Sequence, residues 1–280
     1  MAWIESPSPR IENGETSPAA ATLLALDCRV LVVDDGDINR KLIRLVLGRA
    51  GAKIVEAENG RQAVELALAE PFDLILMDMQ MPVMDGYSAT QALRRQGMTL
   101  PIIALTANAM QGDEAKCLQV GCTAYLAKPL DQEILLATVA ANLAERKANA
   151  AASDAKLVSP SLSQSPPPPL SSSASPQAAS AIKLVSTLPM DDNEFREIVV
   201  MFVGRLKEKL PEFQTALAGN DWSKLAALLH WLKGTSGSVG FPQLSQLAAA
   251  GEKRVSAGEH EDLAALLAEV EQLAHCIAVE

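Results

Sequence analysis

The stretch RVLVVDDGDINRKLIRLVLGR, residues 29–49, decides the fold of the first half of the chain. An apolar run, Arg29–Val33, ends in Asp34 and Asp35 and is followed by a segment whose apolar residues recur every three or four positions. A short apolar run of this length reads as a buried strand, and the following periodicity reads as a helix. The same alternation recurs at Lys53–Ala57, Leu74–Met77, Pro101–Leu105 and Thr123–Ala127. Strands separated by helices imply a parallel sheet covered on both faces, so residues 27–148 are expected to form a doubly wound, five-stranded α/β domain.

In such a sheet, ligands bind beyond the carboxyl ends of the strands. Asp34 and Asp35 end the first strand, Asp78 ends the third, Thr106 the fourth, and Lys128 with Pro129 the fifth. Three carboxylates gathered at one edge repel each other unless a hard cation such as Mg²⁺ sits among them with oxygen ligands. Asp78 then becomes a candidate nucleophile toward phosphorus, with Lys128 and the Thr106 hydroxyl pairing with phosphoryl oxygens. The product is an acyl phosphate. A single strand-end Asp is more often a helix cap than a catalyst. Two Asp, one Asp, Thr and Lys-Pro in this order are hard to explain that way.

VLVVDD at 30–35, LILMDMQMPVMDG at 74–86, IALTANA at 103–109 and YLAKPL at 125–130 resemble the receiver domain of two-component response regulators, a flavodoxin-like fold. The resemblance implies that Asp78 accepts the phosphoryl group. It also implies that Asp34, Asp35, Asp78 and the backbone carbonyl of Gln80 hold magnesium. Thr106 and Tyr125 would be the switch pair, Lys128 would sense the phosphoryl group, and the small Ala107 would leave access to it. Gly36 departs from the family, where many relatives carry Asn or another polar residue after the acidic pair.

Composition separates a second module. Residues 149–186 are crowded with Ala, Ser and Pro, including Pro166–Pro169, and read as a flexible linker. Residues 1–26 look similarly unstructured. Residues 187–280 show no strand pattern and divide into amphipathic stretches at Asp192–Ala218, Trp222–Ser238, Gln243–Ala257 and Glu261–Val279, an all-α four-helix bundle. On the second stretch Leu225, Leu228, Leu229, Leu232 and Ser236 share one stripe, which turns His230 outward. Lys233, Gly234 and Gly237 lie nearby. Each glycine costs roughly 1 kcal/mol relative to alanine inside a helix, so two beside a surface His suggest that something approaches closely.

HWLKGTSGSVGF at 230–241 resembles the H-x-L-K-G signature of histidine-containing phosphotransfer (HPt) domains. That resemblance implies a phosphoryl acceptor at His230, charge compensation by Lys233 and close approach over Gly234. Receiver and helical module together imply a phosphorelay protein, as found at the C-terminus of hybrid sensor kinases, rather than an enzyme with its own ATP site. Its expected partners are a sensor histidine kinase or its catalytic core and a downstream response-regulator receiver. An intramolecular contact between the two modules is also expected, since about 38 linker residues reach roughly 35 Å as a random coil. Ile38 and Leu45 on the first receiver helix are candidates for that contact.

Charge and hydropathy narrow the alternatives. Acidic residues exceed basic ones by 34 to 24 without a Lys/Arg run, which argues against nucleic acid. No apolar stretch approaches the roughly 18–20 residues of a bilayer span, which argues against direct membrane insertion. The scattered Cys28, Cys117, Cys122 and Cys276 fit a reducing, cytoplasmic setting. An aspartate-nucleophile phosphatase would want D-x-D at the end of the first strand, where DDGD stands. A scaffold with degenerate sites would lack one of the chemical groups, and all are present.

Overall fold

The structure, a computed structural model, describes residues 26–106, 111–153 and 184–278, without the side chains of 111–113 and 150–153. In the first module β1 (Arg29–Val33), β2 (Lys53–Ala57), β3 (Leu74–Asp78), β4 (Ile102–Thr106) and β5 (Ala124–Ala127) alternate with five helices. These are α1 (Asp37–Arg49), α2 (Gly60–Ala69), α3 (Gly86–Arg95), α4 (Gln111–Gln119) and α5 (Gln132–Ser153). The strands form one parallel sheet in the order β2-β1-β3-β4-β5. The strand order switches sides of the sheet between β1 and β3, which opens a crevice at their carboxyl ends.

Strand alternation sorts the core into two layers. Leu31, Val33, Ile75, Met77, Ile102 and Ala104 pack with Ala63, Ala89, Leu93 and Cys117 on one face. Val30, Val32, Leu74, Leu76, Ile103 and Leu105 pack on the other with Leu42 and Ile43 of α1 and Leu135 and Val139 of α5. β3 extends one residue past the expected Met77 because Asp78 pairs with Leu105. Pro101 has no N–H to give a ladder, so β4 starts at Ile102 and takes in Thr106. β5 starts at Ala124, one residue after the expected Thr123, whose hydroxyl accepts from the Ile102 amide at 2.8 Å.

The second module is a four-helix bundle of α6 (Asn193–Ala218), α7 (Trp222–Ser238), α8 (Pro242–Ala257) and α9 (Leu263–His275). Asp192 and Asp221 start α6 and α7 as side-chain caps, and Gly258 ends α8 in the left-handed region at φ 74°. Leu225, Leu228, Leu229, Leu232 and Ser236 are all buried, as the stripe on α7 predicts. Each of those leucines contributes roughly 2 kcal/mol through burial.

Three expected boundaries move. Leu26 belongs to the receiver core, its amide donating to the Ala50 carbonyl at 2.6 Å. α5 runs to Ser153 through residues expected to open the linker, an Ala-rich segment without a helix breaker. Leu184 and Ser186, expected as linker, are buried, and Leu184 bridges to Ile277. This bridge, with the left-handed Asp262 at the other end, shortens α9 from the expected Glu261–Val279. The N-terminal tail over 1–25 and the linker over 154–183 lie outside the described residues.

The modules pack together. α1 lies against α6 and α7, and the receiver's α1 face and the bundle share one continuous apolar core. Ile38 is fully buried, and Leu45 is partly buried against this core and borders Ile198 of α6.

Candidate functional site

The strand order brings Asp34, Asp35 and Asp78 together, with one carboxylate oxygen of each within 4.8 Å of the others. Asp34 is fully buried: Oδ1 accepts from the Gly36 amide at 2.8 Å and Asn39 Nδ2 at 3.2 Å, and Oδ2 from Lys128 Nζ at 2.7 Å. Arg40 donates to the Asp34 carbonyl at 2.6 Å and pairs with Glu56 and Glu58, fixing the turn from β1 into α1. Asp78 Oδ1 accepts from the Gln80 amide at 3.0 Å, and Oδ2 from Lys128 Nζ at 2.6 Å. Gly86 is needed behind Asp78, since a Cβ there would lie 2.2 Å from the Asp78 carbonyl oxygen.

Charge is unbalanced here, with three carboxylates against one ammonium. Burial pushes the Asp78 carboxyl up to about 6; Lys128 pulls it down and the Asp34 charge pushes it up again. Asp35, at the exposed rim, is also raised, first by desolvation and then by Asp34. Burial alone would lower Lys128, but Asp34 and Asp78 outweigh it and hold the ammonium protonated. The buried Asn39 Oδ1 beside Asp34 accepts no hydrogen bond among the described residues. A clustered set of oxygen donors with excess negative charge fits a hard divalent cation such as Mg²⁺.

The other expected receiver residues divide. Thr106 is buried at the end of β4, where its carbonyl accepts from the Lys128 amide at 2.7 Å. Tyr125 is half-buried, and its hydroxyl bonds to Glu114 of α4, so it is held at the β5–α4 edge. Ala107 lies outside the described residues.

From the bundle, His230 faces the receiver. It lines one cavity of about 760 Å³ together with Asp35, Asp78, Gln80 and Lys128. Its side chain is 25% exposed, less than the outward position on α7 suggests, with Glu252 of α8 against it and the receiver facing it across the cavity. His230 Nδ1 lies 2.7 Å from Glu252 Oε1 on α8. A carboxylate only accepts, so a neutral imidazole here carries its hydrogen on Nδ1 and its lone pair on Nε2. Lys233, expected to offset phosphoryl charge, donates to Glu252 Oε2 at 2.8 Å. Burial works against the Glu252 carboxylate, but the bonds from His230 and Lys233 hold its pKa below the usual range.

Glu252 escaped sequence reasoning because it lies 22 residues from His230 on another helix. The available signal was its neighbour Gly251, a mid-helix glycine whose added Cβ would sit 3.0 Å from Leu229 and so marks where α8 closes on α7. The two α7 glycines also separate. A Cβ on Gly234 would meet Lys128 Cδ at an ordinary 3.6 Å, whereas one on Gly237 would collide with Pro129 Cβ at 2.4 Å. The tight approach of the two modules is therefore over Gly237.

Residues 30–140 match the family described as response regulator receiver domain, and residues 197–278 match the Hpt domain. A signal transduction histidine-protein kinase, BarA of Shigella flexneri, is 33% identical over 83% of this chain and 24% of its own length. Sensor histidine kinase GacS of Pseudomonas protegens is 44% identical over 42% of this chain and 13% of its own length. The chain thus spans about a quarter or less of these relatives. Among solved structures, the receiver domain of a sensor histidine kinase from Pseudomonas aeruginosa PAO1, with a magnesium ion coordinated in its active site cleft, is 41% identical; the match covers 42% of this chain and 98% of that one, with a TM-score of 0.40. With both families matched in the order the fold displays, the chain belongs to the two-component signalling proteins, as a receiver domain followed by an Hpt domain.

Proposed function

We propose that the chain is a phosphorelay intermediate in which Asp78 and His230 exchange one phosphoryl group reversibly. The observation that carries this reading is the single cavity onto which Asp78, Lys128 and His230 open. A nucleophile facing its acceptor across a shared cleft replaces a bimolecular encounter by a positioned one.

In the forward direction the His230 Nε2 lone pair attacks phosphorus. The N–P bond forms as the Asp78 Oδ–P bond breaks, and Asp78 recovers its carboxylate. Glu252 holds the Nδ1 proton and offsets the positive charge that develops on the ring. Lys233 keeps Glu252 in place, and Lys128, now shared between Asp34 and Asp78, pairs with the phosphoryl oxygens when Asp78 is loaded. The Thr106 hydroxyl and Tyr125 act as the switch pair that reports loading. Magnesium, held by Asp34, Asp35, Asp78 and the Gln80 carbonyl, would neutralise charge on the phosphoryl oxygens.

The phosphoryl group comes from a sensor histidine kinase or its catalytic core and leaves to a downstream receiver, with the chain acting in the cytoplasm. Among the described residues no helix is long and apolar enough to cross a membrane. The functional domains are the receiver, residues 26–153, and the Hpt bundle, residues 184–278, joined by the segment between them.

Supplying a small phosphodonor with Mg²⁺ tests the reading. Wild type is expected to carry both base-labile acyl phosphate and base-stable phosphohistidine, His230→Gln only the former, and Asp78→Asn neither. Phosphohistidine at wild-type levels on Asp78→Asn would overturn it. In the same assay Glu252→Ala is expected to slow the gain of phosphohistidine by about tenfold, since a hydrogen bond to a charged partner is worth roughly 1.5–3 kcal/mol. Glu252→Gln, which still accepts from Nδ1, should recover most of that loss. Equal rates for Glu252→Ala and wild type would remove Glu252 from the mechanism.

A further inference from the structure

Away from the cleft, α1 and α6 run antiparallel and carry opposite charge sequences. Asp37, in the first turn of α1, pairs with Arg205 of α6 at 3.2 Å. Lys41, one turn on, pairs with Glu197 at 3.6 Å and reaches the Met201 sulfur at 3.3 Å. Arg49, in the last turn of α1, grips Asp192 at 2.6 and 2.9 Å, bonds to Glu194, and stacks over the Phe195 ring at 5.0 Å.

Exposed ion pairs taken singly are worth little. The Arg49 contact differs, since its guanidinium is bidentate to Asp192 and backed by an aromatic face over the buried Phe195. The ends also match helix polarity. Asp192 and Glu194 sit at the start of α6, where negative charge is favoured, and Arg49 sits at the end of α1, where positive charge is favoured. Parallel packing would bring Arg49 toward Arg205, like against like. The charge order therefore sets both direction and register.

We infer that α6 is a charge-keyed seat for the first helix of a receiver domain, one that begins acidic and ends in arginine, and that this chain's own receiver occupies it. Arg49 is the residue by which the seat recognises its partner. The same key predicts which other receivers the Hpt domain accepts: those with an acidic start and a terminal arginine on their first helix. This rests on the proposed exchange between Asp78 and His230, because transfer is the readout.

The full chain is loaded with a small phosphodonor and Mg²⁺, and the movement of label from Asp78 to His230 is timed. Arg49→Glu is expected to slow this step at least tenfold while Asp78 loads normally, since Arg49 lies at the end of α1 remote from the cleft. Adding Asp192→Asn and Glu194→Arg, which keeps a capping side chain at the start of α6 and gives the new carboxylate a cation with the signs exchanged, is expected to return the rate to within about threefold of wild type. Arg49 is partly exposed, so the variant should fold; Arg49→Ala, expected to lose about fivefold, provides the second measurement.

Wild-type transfer by Arg49→Glu, in a chain where His230→Gln abolishes it, would overturn the seat and leave the relay standing. Failure of the exchanged-charge variant to recover, with its helix content intact by circular dichroism, would also overturn it. A wild-type rate that rises with protein concentration would assign the seat to a second copy instead of the chain's own receiver. No label on wild-type Asp78 would overturn the relay and the seat together.

Discussion

Asp78→Asn is expected to raise the unfolding temperature of the receiver by about 3–8 °C at pH 7.5 without divalent cations, while leaving nothing to phosphorylate. Its carboxyl lies at about 6 in the folded protein, against about 3.9 in an unfolded chain. For a carboxyl raised on folding, the favourable protonated state is complete below the unfolded value and is lost as pH rises through the folded one. Above about pH 6 the wild type therefore carries a buried, poorly compensated charge, with a ceiling of roughly 3 kcal/mol. Asparagine keeps the volume and an acceptor for the Gln80 amide, and Lys128 keeps Asp34. Lys128 loses one partner, so the expected net gain is about 1–2 kcal/mol. At pH 4.5, where the wild-type carboxyl takes up its proton, the gain should nearly vanish. Thermal melts followed by circular dichroism at the two pH values check this. A fall in unfolding temperature at pH 7.5, or an equal gain at pH 4.5, would contradict it.

The second large effect is expected from a single methyl group. Gly237→Ala places a Cβ 2.4 Å from Pro129 Cβ and 2.7 Å from its Cγ, far inside the roughly 3.5–4.0 Å that carbon atoms tolerate. Pro129 follows the buried Lys128 and cannot swing aside, so the Hpt domain must lift by about 1 Å. Misplacement of that size costs transfer on the order of 100-fold. Inside the bundle the same methyl would press on Ser245 Oγ at 2.9 Å, which offsets part of the roughly 1 kcal/mol that alanine adds to a helix. Bundle stability should therefore change little while phosphohistidine accumulates far more slowly. Gly234→Ala, facing Lys128 at 3.6 Å, is the internal control and should cost less than threefold. Equal slowing by both substitutions, or by neither, would refute the close approach at Gly237.

The contrast between these glycines shows where the sequence stopped being legible. Strand and helix identity followed from local periodicity, and the strand-end positions of Asp34, Asp78, Thr106 and Lys128 placed them together without any long-range information. The leucine stripe on α7 likewise fixed the buried face. Glu252 could not be found in this way, because its relation to His230 depends on how α8 packs on α7. The ranking of Gly234 and Gly237 depends on a contact between modules more than a hundred residues apart, where Leu130 donates to Ser238. Sequence gave the tether's reach; the seat came from pairing Arg49 with Asp192, which neither helix announces alone. The extension of α5 to Ser153 was hidden for a different reason, since an Ala-rich run suits both a helix and a linker.

In the proposed relay, the seating of the receiver across the cavity from His230 makes a turnstile. One face of the bundle admits one receiver at a time, so delivery onward begins only after the resident domain has swung clear. Throughput is then capped by the rate of parting, and a mutation that tightens the resident's grip would speed filling of the histidine while starving the output.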